Sequence, residues 1–249
     1  MLRALYLISA VLSFVTFSHA FPQQPPEVGR VKLYRYGELL QQHNIELTEP
    51  ALINALKNPD PDVRYLAAMK LAEDKAFATI PAIEEAVRVE KDPRDQVNMA
   101  LALGLLSDQI GLAKLKKVCA DKNFVPEFRL YAVRYMFDLH SQKDEDCLAA
   151  AEQLAASRNV NIGDRVSALS LLPSFQNLTT DESPKIVNLV ANCLEDSEPV
   201  VQLAASSALV NLGGASAIPY LRSAIAREKD ENVRAAFERD LKRLEESAK

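Results

Sequence analysis

Tryptophan is absent from this sequence, and aromatic residues of all kinds make up only 6% of its 249 positions. A core with so few rings has to be built from Ala, Leu, Ile and Val, which suits closely packed helices. Glycine is scarce as well, at seven residues, too few for the tight turns of a sandwich or barrel. The short texts that carry much known chemistry are also missing: no His-Glu pair, no HExxH, no CxxC, no GxSxG and no Gly-rich phosphate loop. Gly213-Gly214 reads as a helix stop, because neither a strand before it nor a lysine after it makes it a nucleotide loop. The expectation is a chain with no catalytic residue, no metal ligand and no cofactor.

An excess of positive charge is lacking too, with 29 Lys and Arg against 34 Asp and Glu. Nucleic acid and anionic membrane surfaces are thus poor partners, since binding to either rests on clustered Lys and Arg. Long apolar runs are confined to the N-terminus. Arg3 followed by the apolar stretch Ala4 to Phe17, then Ser18-His19-Ala20, reads as a secretory signal cut before Phe21. A retained anchor is the alternative, but fourteen helical residues span about 21 Å, short of the roughly 30 Å hydrocarbon core. Residues 1–20 are read as a signal peptide, 21–36 as a Pro-rich extended tether and 37–249 as the folded domain. That makes the protein exported, periplasmic or secreted, without a membrane span after cleavage and with a mature charge of −6, because the signal holds one Arg and no acid.

What the domain does contain is a repeat. Asn58-Pro59-Asp60-Pro61-Asp62-Val63-Arg64 leads into Leu66-Ala67-Ala68 and Leu71, and similar text recurs around Val97, Phe128, Asp164, Val200 and Val233. Intervals of 34, 31, 36, 36 and 33 residues separate these points. Arg follows in four units, as Arg64, Arg129, Arg165 and Arg234, while Asn98 and Val201 stand in its place in the other two. Within a unit, Asp, Asn and Pro end one helix and cap the next. An Ala-rich amphipathic helix follows, and then a second helix, twice opened by Ile-Pro at Ile80-Pro81 and Ile218-Pro219. Spacing of this kind marks stacked helical hairpins.

The Asp/Pro, Val-Arg, Ala-Ala, Leu text resembles the HEAT-like repeats of the family that includes the phycobilisome lyases, over roughly residues 37–246. The resemblance implies an all-α, right-handed α-α superhelix of about six stacked hairpins. Glu49 to Leu56 form the first second helix after a stub at Gly37 to His43, and Val233, Ala236, Phe237, Leu241 and Leu244 form the stripe of a terminal cap. HEAT-like hydroxylases related to this family hold a di-iron centre with His-Glu pairs, which this chain lacks.

Three cysteines remain to be placed: Cys119, Cys147 and Cys193. The plain reading is three small buried apolar side chains, with a Cys119–Cys147 bridge between neighbouring repeats as its rival. His43 and His140 are separated by two to three repeats, roughly 20 Å or more at about 10 Å per helix layer, and cannot meet. Asn177-Leu178-Thr179 is formally a glycosylation acceptor, a motif common by chance.

The face lined by the second helices is the expected binding surface, about 60 Å long if six helices stack. Its outward residues are Glu84, Glu85 and Arg88, then Lys114, Lys116 and Lys117, Glu152 and Gln153, Lys185 and Asn188, and finally Tyr220 and Arg222. The changing sign of charge suits a protein or peptide partner held by a monomeric, non-catalytic scaffold. The alternative implied by the family resemblance is a lyase-like or chaperone-like helper that binds a bilin or another apolar ligand. Export argues against it, since bilin attachment is a cytoplasmic task.

Overall fold

A computed structural model describes residues 36–139, 144–175, 182–212 and 214–247. The expected signal peptide, nearly all of the tether, His140, Asn177 and Gly213 lie outside these residues. Among the described residues the regular structure is wholly helical, with thirteen α-helices and short 3-10 turns. They pair as hairpins: α1 (Tyr36–Gln42) with α2 (Glu49–Ala55), α3 (Pro61–Glu73) with α4 (Ile80–Val89), and α5 (Pro93–Leu106) with α6 (Asp108–Ala120). Next come α7 (Pro126–Asp138) with α8 (Glu145–Ala156), α9 (Ile162–Leu171) with α10 (Glu182–Asn192), and α11 (Pro199–Leu212) with α12 (Ile218–Arg227). A single helix, α13 (Glu231–Ser247), closes the stack. The result is the α-solenoid read from the repeat, with Tyr36, the last tether residue, opening α1 as a buried side chain.

Side-chain caps fix several helix starts. The carboxylates of Asp60, Asp92 and Asp144 and the amide of Asn161 accept backbone N–H groups in the first turns of α3, α5, α8 and α9. Such contacts satisfy donors that have no partner inside the helix. Pro stands first in α3, α5, α7 and α11. In α4 and α12 it is the second residue, because Ile80 and Ile218 already continue from the 3-10 turns at Phe77–Thr79 and Ala215–Ala217. The core is one continuous seam of small and branched side chains between the layers, from Leu40 and Leu52 through Met69, Leu103 and Leu169 to Phe237 and Leu244. Leu241 of the cap stripe packs against this seam while remaining half-buried.

The helix starts correct the register read from the sequence. Counting from the first residue of α3, α5, α7, α9, α11 and α13, the third position holds Val63, Asp95, Phe128, Asp164, Val201 and Val233. The fourth holds Arg64, Gln96, Arg129, Arg165, Gln202 and Arg234. Gln, not Asn98 or Val201, therefore takes the arginine's place in two units. Pro93 and Pro199 set these helix starts, two residues before Asp95 and Val201.

Five of these six fourth-position side chains, all but Gln202, reach back to carbonyls at or just beyond the end of the preceding second helix. Arg64 Nη1 donates to the Asn58 and Pro59 carbonyls at 2.7 and 3.0 Å, and Gln96 Nε2 to the Glu90 carbonyl at 2.5 Å. Arg129 donates to the Cys119 carbonyl at 2.9 Å and Arg165 to the Ala155 carbonyl at 3.4 Å. Arg234 donates to the Glu228 carbonyl at 3.3 Å. Orphan carbonyls at helix ends are thereby satisfied from one repeat to the next.

A covalent link joins two repeats. Cys119 at the end of α6 and Cys147 at the start of α8 form a disulfide, with Cα atoms 4.8 Å apart. The reading of three unlinked cysteines thus holds for Cys193 alone, which is a buried free thiol. The second helices of adjacent hairpins lie side by side, close enough for Cβ vectors to meet.

Candidate functional site

The second-helix face is built by α2, α4, α6, α8, α10 and α12. Four of the charged side chains expected to meet a partner there, Lys116, Glu152, Lys185 and Arg222, already have one on the neighbouring repeat or the cap. Lys116 lies 3.2 Å from Asp144 and 3.6 Å from Asp146 at the start of α8. Lys185 of α10 reaches Glu152 of α8 at 2.8 Å, and the Tyr220 hydroxyl of α12 donates to Asn188 of α10. Arg222 pairs with Glu245 of the cap at 2.7 Å, and Arg227 with Glu195 at 2.7 Å. Gln153 accepts from Arg129 at 3.2 Å. Within α4, Arg88 holds Glu85 at 2.5 Å, which lowers the Glu85 pKa.

The alternating sign of the row is therefore largely internal: rungs between consecutive helices that set their stagger. Lys114, Lys117 and Glu84 are the members of the expected row that make no side-chain ion pair or hydrogen bond among the described residues.

A cleft of about 580 Å³ opens between α2 and α4 at the carbonyl ends of both helices. The sequence reading missed it. Ile53, Leu56, Ala82, Ala86 and Val89 supply its apolar lining, and Lys57 and Lys91 stand at the mouth. Its polar part is an ion pair, Arg64 Nε to Glu90 Oε2 at 2.6 Å, with the Glu90 side chain only 2% exposed. Glu90 Oε1 also accepts the backbone N–H groups of Lys91 and Asp92 at 2.7 and 2.9 Å. Burial pushes the Glu90 pKa up, but the Arg64 guanidinium and the two amides outweigh it, and the net shift is downward. The cleft is thus lined by a carboxylate whose acceptor sites are mostly taken by Arg64 and two backbone amides, and its volume lies within the usual range for small binding sites.

On the other layer, the first helices bring Asp95, Asn98 and several tyrosines into one region. Tyr135 donates to Asn98 Oδ1 at 2.8 Å, and Tyr36 packs edge-on against Tyr65 with centroids 6.1 Å apart. Asp95 is 1% exposed and neither carboxylate oxygen has a hydrogen-bond partner. Burial, reinforced by Asp92, raises its pKa to about 6. His43, directly after α1, is exposed and lies 3.8 Å from Asp60. Among the described residues no three His, Cys, Asp or Glu side chains gather as a metal site would require, and no helix is long and apolar enough to cross a membrane.

The pattern of HEAT repeats matches residues 49–136 and 152–242, most of the solenoid. The chain belongs to the HEAT-repeat family. The match is to HEAT repeats in general, and it leaves the phycobilisome-lyase branch undistinguished from the rest. No functionally curated protein matches the sequence. Among solved structures the HEAT solenoid is similar to human deoxyhypusine hydroxylase in complex with glycerol, at 18% identity over 87% of this chain and 81% of that one, with a TM-score of 0.41.

Proposed function

We propose that this HEAT solenoid is an exported, non-catalytic scaffold that holds a protein or peptide against its second-helix face. The observation that carries the reading is the uneven use of that face. From Lys116 to Arg222 the rungs between repeats engage most charges, whereas Lys114, Lys117 and the apolar lining of the α2/α4 cleft are left without internal partners. An extended row with unspent surface in its first half suits a docking platform, and repeat solenoids bind through such faces. Export is supported by the signal-like N-terminus and by a disulfide, which persists in oxidising compartments.

The test is capture of a partner from the native host. Reversing Lys114 and Lys117 to Glu weakens capture on this reading, and more strongly at low salt, because exposed charges are screened. Lys116 is left alone because Asp144 and Asp146 already engage it. Capture that is indifferent to both substitutions removes the lysines from the interface. Purified protein that is coloured or carries stoichiometric iron contradicts the non-catalytic reading.

A further inference from the structure

Repetition supplies an internal control for the α2/α4 cleft. Asn58, Glu90, Asp196 and Glu228 mark equivalent positions, since each side chain accepts the backbone N–H two residues on, at 2.9, 2.9, 3.1 and 2.8 Å. Each also precedes the fourth-position Arg or Gln by six residues. In this frame a second cleft, between α10 and α12, occupies the corresponding place at the solenoid's other end. Leu194 answers to Leu56, Ala224 to Ala86, Glu228 to Glu90 and Gln202 to Arg64.

Two contacts close the second cleft. Arg227 and Glu195 pair across it at 2.7 Å, and Tyr220 bridges to Asn188. The equivalent pairs in the first cleft are Val89 with Lys57 and Ala82 with Pro50, neither able to form the contact. The volume is accordingly about 580 Å³ in the first and about 260 Å³ in the second. Val89, at 54% exposure, is an apolar residue where the counterpart is charged.

We propose that the α2/α4 cleft receives one bulky apolar side chain of a partner polypeptide whose neighbouring residues are acidic. The inference rests on the scaffold reading and adds the place and the chemistry of the partner. Charge complementarity selects the acidic flank. Glu85 and Glu90 are held by Arg88 and Arg64, while Lys57 and Lys91 at the mouth are exposed and make no ion pair. Arg64 adds to the positive side, since Nε and Nη1 make its hydrogen bonds to Glu90, Asn58 and Pro59 and Nη2 makes none. A basic segment would meet two lysines that no ion pair neutralises, Lys57 sharing only the longer-range field of Glu85. A wholly apolar one would leave them without a counter-charge.

The experiment uses the full solenoid with methyl-labelled Ile, Leu and Val and a synthetic peptide, acetyl-Gly-Glu-Glu-Leu-Glu-Glu-Gly-amide, followed by NMR. Saturable shifts at Ile53, Leu56 and Val89 are expected, with about tenfold weaker binding when the peptide's Glu residues are Lys or its Leu is Ala. The double variant Lys57→Glu/Val89→Arg installs the closing pair of the second cleft and is expected to bind at least about tenfold more weakly with its thermal midpoint maintained. Should that variant fold poorly, Lys91→Glu alone, a surface change, is expected to give the same direction. Equal affinity for acidic and basic peptides, shifts centred elsewhere, or no saturation up to about 5 mM peptide overturns the proposal. A host partner captured equally by the parent and the closed variant also overturns the cleft while leaving the scaffold standing. A parent that captures no partner and binds no peptide overturns both.

Discussion

Gly111 of α6 lies directly on Gly104 of α5: a Cβ placed on Gly111 would fall 2.1 Å from the Gly104 Cα and backbone nitrogen. Ser107 alone separates the two helices, so the hairpin folds sharply and its axes approach to backbone contact. In an ordinary helix, Gly→Ala gains about 1 kcal/mol from propensity. Here backbone meets backbone and neither side can yield, so Gly111→Ala is expected to destabilise by about 2–3 kcal/mol. Denaturant unfolding measures this; a neutral or stabilising result contradicts the close approach.

The Cys119–Cys147 bridge closes a loop across a sequence separation of 28 residues. By loop-closure entropy its loss costs about 3–4 kcal/mol. The double Cys→Ser variant should show that deficit in denaturant titrations. Thiol counting without reductant should find one group per unfolded chain, Cys193. In the folded chain that group should resist labelling, since it is 6% exposed and burial raises its pKa. Three reactive thiols in the unfolded chain would contradict the bridge.

Arg165 and Asp196 form a buried pair at 2.6 Å, with side chains 5% and 4% exposed. Removing the carboxylate strands a buried guanidinium, and Asp196→Ala is expected to cost about 3–5 kcal/mol. The hydrogen bond from Arg165 holds the Asp196 carboxyl below its ordinary value of 3.8. Its contribution is therefore present above that value and lost as pH falls below it. The parent should lose stability in that acid range with a steeper slope than Asp196→Ala, as urea midpoints against pH would show.

Asp95 gives the opposite sign. Its pKa rises from 3.8 to about 6 in the folded chain, so the buried carboxyl costs nothing through its charge below 3.8. The penalty grows as pH rises through about 6 and is complete above it. Four of the five equivalent third positions carry Val63, Phe128, Val201 and Val233, and the fifth, Asp164, is only half-buried and hydrogen-bonded to Asn161. Asp95→Val is thus expected to stabilise by about 1–3 kcal/mol at pH 7.5 and by less at pH 4.5. A gain that does not vary with pH would show that Asp95 is not held uncharged by burial.

The fold was legible because its determinants are local and repeated: Pro and Asp at helix starts, small residues within helices, and a period of about 34 residues. The register slipped at α5 and α11, where a shared Val was a weaker marker than Pro93 and Pro199. Pairing of the cysteines could not be read, since three candidates on helices give no geometry. The site was legible only in outline. Lys116, Lys185 and Tyr220 look outward when one helix is read alone, yet their partners lie on the next repeat. The separations of 33 for Lys185–Glu152 and 32 for Tyr220–Asn188 match the repeat itself. The cleft was hidden for a related reason. Val89 and Lys57 resemble ordinary surface residues until they are set beside Arg227 and Glu195.

Photocrosslinking in the native host compares the two faces most directly. A benzophenone side chain replaces Val89 or Lys117 on the second-helix face, or Arg134 or Glu238 on first helices, one site at a time. A scaffold that docks its partner as described yields one discrete adduct, shared by Val89 and Lys117 and absent from Arg134 and Glu238. The same adduct from all four sites, or adducts from the first-helix sites alone, would contradict it.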